Sequence, residues 1–74
     1  MNVIANRLNR SILGRIEGAP DRTLVILGDR GPDQIRIVAQ REIGSRGLRL
    51  GRDALLRNLS SSVPGVRRSS AWAL

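Results

Sequence analysis

Apolar side chains recur at more than one spacing along this chain. At the start, Ile4, Leu8 and Ile12 fall four apart, with Met1, Ala5 and Leu13 close to the same stripe. That spacing predicts a helix at about 2–12, with Asn2 as its N-cap and Gly14 as its stop. Ile12, Gly14 and Ile16 also fit one face of a strand, so two readings stand open there. Gly18-Ala19-Pro20-Asp21 then reads as a turn. Thr23-Leu24-Val25-Ile26-Leu27 is an unbroken, β-branched apolar run of strand length. Two glycines and a proline interrupt the chain at 28–33. From Gln34 to Gln40 apolar and polar residues alternate, which puts Ile35, Ile37 and Ala39 on one face and Arg36 on the other. Two strands around a glycine-containing loop read as a hairpin over about 23–39.

Leu48-Arg49-Leu50 alternates too and fits a further strand at 48–51, after a loop at Gly44-Ser45-Arg46-Gly47. Leu55, Leu56 and Leu59 then share a helical face behind Asp53, which predicts a short C-terminal helix at about 53–60. The fold class expected is α+β: a small antiparallel β-sheet with that helix and the N-terminal one. Residues 1–63 form one small basic domain in this reading. Residues 64–74, rich in serine and arginine, are a flexible tail to which Trp72 belongs.

Length changes how that sheet is judged. A chain of 74 residues without cysteine or histidine has little core and neither a disulfide nor a zinc staple. A homodimer is the expected remedy.

Charge changes the picture more. The chain has 13 basic residues, all arginine, against 6 acidic ones, for a net charge of +7. Such an excess draws phosphates and acidic surfaces, and arginine's planar fork suits bidentate contacts with both. Five arginines, Arg36, Arg41, Arg46, Arg49 and Arg52, lie between residues 35 and 53, offset there only by Glu42 and Asp53. On a one-faced sheet they would share the polar side and form an arginine-lined β surface for nucleic acid.

The inventory for catalysis is thin. Without His or Cys, the usual general base and the thiol nucleophile are missing, and so are the commonest transition-metal ligands. Neither phosphate-binding glycine motif is present. No enzyme activity, metal or cofactor is expected. With no Phe or Tyr, an aromatic base-stacking platform of the RNA-recognition or OB-fold kind is not expected either. No apolar run reaches membrane-span length and no secretory segment is evident, so a cytoplasmic protein without a membrane partner is expected.

Residues 12–59 resemble the carbon storage regulator (CsrA/RsmA) family of bacterial translational repressors. Ile12-Leu13-Gly14-Arg15, followed by Thr23-Leu24, is similar to the family's first strand and turn. Ile26-Leu27-Gly28-Asp29-Arg30-Gly31 and Gln34-Ile35-Arg36-Ile37 are similar to its central glycine loop and the strand after it. Ala39-Gln40-Arg41-Glu42-Ile43 and Leu50-Gly51-Arg52-Asp53-Ala54-Leu55 are similar to its later segments. Ile16 stands where the family has a second arginine, Gly51 where it has histidine, and about one strand is missing. The resemblance implies an intertwined dimer that binds GGA-containing loops of messenger RNA. It would use Arg15, Arg52 and the backbone of Leu50.

The expected function is therefore a small non-enzymatic regulator binding nucleic acid, RNA ahead of DNA, through Arg15, Arg36, Arg41, Arg46, Arg49, Leu50 and Arg52. One alternative is a phage- or mobile-element-encoded protein that grips an acidic surface of a host protein such as RNA polymerase to regulate transcription. Another is a dimer that inserts the hairpin into the DNA major groove as a β-ribbon.

Overall fold

The computed structural model describes residues 13–74. Among them no residue is in a strand, and the chain is a small helical bundle. Residues 13–17 are helical (α1). They are followed by α2 (Asp21–Arg30), α3 (Asp33–Arg46), a 3-10 turn at Arg49–Gly51, α4 (Arg52–Asn58) and α5 (Pro64–Ala73). The expected N-terminal helix at 2–12 lies outside the described residues. Gly14, expected as its stop, is inside α1, and the strand reading of Ile12–Ile16 fails over its described part, residues 13–16.

The expected sheet is replaced by packed helices, and each replacement has a local cause. The apolar run at 23–27 and the supposed breaker Gly28 both belong to α2. Leu24 and Gly28 are buried on one side of that helix, while Ile26 is exposed. Gly28 is a packing residue: a Cβ there would lie 2.8 Å from Ile43 Cδ1 of α3. The glycine lets two helices approach closely, where the sequence pattern reads a turn.

The alternation at 34–40 belongs to α3, which packs against α2 and also against α5. Ile35 reaches the α2 side, 3.5 Å from where a Cβ on Gly31 would stand. Ile37 reaches the α5 side, 2.9 Å from where a Cβ on Gly65 would stand. A helix with two partners carries apolar residues around much of its circumference. Its 3.6-residue rhythm blurs, and a stretch of it imitates the two-residue rhythm of a strand.

Helix α3 runs through the expected loop at 44–47 and ends only at Gly47. That residue takes the left-handed conformation at φ 63° that favours glycine. The Leu48 amide then donates back to Ile43 O at 3.2 Å and completes a Schellman-type cap. The strand expected at 48–51 is instead the 3-10 turn, and the helix expected at about 53–60 is α4, an internal element. Residues 64–74, expected as a tail, form α5 with Pro64 at its first turn and Val66, Ser69 and Ser70 buried.

The core consists of Ile16, Leu24, Ala39, Ile43 and Leu55 from four helices, with Val25, Leu27, Ile35, Val38 and Leu48 packed around it. Two buried amides hold the helices in register. Gln40 on α3 donates to Gly28 O on α2 at 2.8 Å and accepts a hydrogen bond from the Ser69 hydroxyl on α5. Asn58 at the end of α4 donates to Ala54 O at 2.7 Å and to Asp29 Oδ1 on α2 at 3.1 Å. No described helix is long and apolar enough to cross a membrane.

Candidate functional site

The seven residues expected to share a binding surface are dispersed by the helical fold. There is no β surface for them to line. Two of the arginines are fastened within the molecule. Arg46, near the end of α3, donates to Glu42 Oε2 at 2.9 Å, to Asp21 Oδ1 at 2.9 Å, and to the carbonyls of Ala19 at 2.8 Å and Glu17 at 2.7 Å. The two carbonyls lie at and just past the C-terminal end of α1, where helix carbonyls lack partners, so Arg46 ties α1 and α2 to α3. Its carboxylate partners, Glu42 first and Asp21 second, raise its pKa further above an already high value.

Arg36 is half-buried and donates to Gly31 O at 3.0 Å and to Asn58 Oδ1 at 3.4 Å. It braces the α2–α3 turn against α4. A nearby pair works to the same end: Arg57 of α4 donates to Asp29 Oδ2 of α2 at 2.8 Å.

The remaining expected residues are exposed; Arg49 and Arg52 are brought together, and Arg41 lies on a different groove. Arg15 is on α1, and Leu50, in the 3-10 turn, is 62% exposed. Arg49 and Arg52 line a shallow groove of about 350 Å³ whose other walls are Leu48, Leu55, Leu56 and the end of α5.

Arg41 lines a larger groove, of about 700 Å³, between α3 and α5. Ile37, Arg41 and Ser45 follow at i, i+4 and i+8 along α3, so they form one stripe. Gly65, Arg68, Ser69 and Trp72 form the facing stripe on α5. The lining holds two guanidinium groups and two serines, and no carboxylate. Among the described residues neither Arg41 nor Arg68 is within ion-pair distance of an acid.

Trp72, the chain's one aromatic residue, is 64% exposed at the edge of this groove. Its ring edge lies against α3, where a Cβ on Gly44 would be 2.9 Å from the ring carbon Cζ3 and equally close to Ala73 Cα. Gly44 therefore supplies the space that seats the end of α5.

Arg68, Trp72 and Ser45 are absent from the sequence-based set. Their signal is the four-residue spacing of Arg68 with Trp72 and of Arg41 with Ser45. It becomes readable only when both segments are taken as helices. Among the described residues no three Asp, Glu, His or Cys side chains gather as a metal site requires. No family model, no curated protein and no solved structure matches this chain.

Proposed function

We propose that this chain is a small basic, non-enzymatic regulator that acts in the cytoplasm by binding nucleic acid, with the α3–α5 groove as its principal contact surface. The observation that carries the reading is the pair Arg41 and Arg68. Both line one acid-free groove, and both lack an ion-pair partner among the described residues. Two guanidinium groups lining one concavity without a carboxylate favour phosphates, which accept the fork of each. Arg49 and Arg52, on the smaller groove that the end of α5 also lines, form a second basic patch.

Salt dependence tests this directly. Each phosphate contact contributes about 0.7 to the slope of log affinity against log salt for a single strand and about 0.9 for duplex DNA. Arg41→Ala and Arg68→Ala should each flatten the slope by roughly that amount. Arg46→Ala should leave the slope nearly unchanged, because four of its five donors are already committed within the fold, and should lower the unfolding midpoint instead. Absence of any mobility shift with RNA or DNA at about 50 mM salt sinks the proposal.

A further inference from the structure

We infer that the α3–α5 groove accepts a single-stranded segment of nucleic acid, with a base stacked on Trp72 and flanking phosphates on Arg41 and Arg68. The inference rests on the nucleic-acid reading above and narrows it to one strand form.

Three observations carry it. First, the ring of Trp72 is braced along one edge by α3 at Gly44, yet most of the residue stays in water. A held and accessible indole offers a stacking surface at low ordering cost, since its position is set before the ligand arrives. Second, Arg68 lies one helical turn from Trp72 on α5, and Arg41 lines the same groove from α3. Cations beside an aromatic surface are the pairing that single-strand binding uses, charge for the backbone and ring for the base. Third, the groove is open along α3 and α5 and no carboxylate lines it, so nothing in its walls repels a phosphate backbone. In a duplex the base faces are already stacked on their neighbours, so Trp72 would gain nothing from one.

The chain's single tryptophan is its own reporter. The full chain is titrated with a 12-nucleotide single-stranded RNA, the same sequence as single-stranded DNA, and the corresponding duplex, with Trp72 emission and anisotropy of a labelled strand read together. Stacking should quench Trp72 on binding either single strand and leave its emission unchanged with duplex. Trp72→Leu should weaken single-strand binding by about tenfold, and Trp72→Phe should restore most of it, since a base on an aromatic ring contributes about 1–3 kcal/mol. Duplex binding should stay within twofold in both variants. The quenching measurement uses the unaltered chain and does not depend on how the variants fold.

Binding to single strand and duplex with equal strength and no quenching overturns this inference while leaving the nucleic-acid reading intact. Binding to none of the three overturns both. Equal binding to a polyglutamate peptide also overturns both, in favour of an acidic protein partner.

Discussion

Asp29 sits at the C-terminal end of α2 with only 13% of its side chain exposed, and its neighbours favour its ionised form. The hydrogen bond from Arg57 does most to lower its pKa below the usual carboxylate value, and the Arg57 charge, the Asn58 amide and Arg30 act in the same direction, against the opposing effect of burial. A carboxylate whose pKa is lower folded than unfolded stabilises the fold above its unfolded pKa. That contribution disappears as pH falls through the folded value. Urea denaturation from pH 7 down to pH 3 should therefore show a loss of stability starting near pH 4 to 5, where free carboxylates begin to protonate. Asp29→Asn should be less stable at pH 7 and flatter across the acid range. An unchanged acid profile would mean that the Asp29–Arg57 contact does not persist in solution. At the same scale, Arg46 shows how net charge misleads. It adds to the positive count, yet four of its five donors are used within the molecule, on Glu42, Asp21 and the carbonyls of Glu17 and Ala19.

At the scale of elements, glycine decides both the fold and its legibility. Gly44 seats α5 on α3, so Gly44→Ala would place a Cβ 2.9 Å from the Ala73 backbone. Overpacking of this kind costs about 1–3 kcal/mol. The better helix propensity of alanine returns about 0.5–1 kcal/mol of it. The net expectation is a loss on the order of 1 kcal/mol, with Trp72 emission moving to the red as the ring leaves α3. Gly14→Ala is the contrasting case, because among the described residues no atom would lie within 4 Å of a Cβ at that position. Thermal melts should show a modest gain there.

The same glycines explain why so little of the bundle could be read from the chain. Gly28, Gly31 and Gly44 occupy helix contacts and a helix end, whereas a sequence pattern counts each as a break. Ile35 and Ile37 face different partners of α3, so their alternation imitates a strand. The serines of α5 look like solvent-loving tail residues, yet Ser69 is buried against Gln40. What could be read was the short helix around Leu55, whose leucines recur at helical spacing, although of the three only Leu55 is buried and Leu56 and Leu59 are exposed. The excess of arginine was legible too, and Arg41 was among the residues it singled out. Its groove was not, because half of it stands on a helix that the composition disguised.

For the molecule as a whole, α3 is the shared element: α2 and α5 both pack on it, and Gln40 joins all three. Local opening in small domains proceeds by detachment of peripheral units while the central one stays closed. The amides of α3 should therefore exchange with deuterium most slowly, and those of α5 earlier, through undocking of that helix. The groove exists only while α5 is docked, so any ligand in it binds the closed form alone and slows the undocking by mass action. A saturating oligonucleotide should lengthen the exchange lifetimes of α5 amides whose side chains do not line the groove, at Val66 and Ser70, by the ratio of free ligand to its dissociation constant. The helix that reads as a tail would then be the part of the protein whose motions report occupancy most directly.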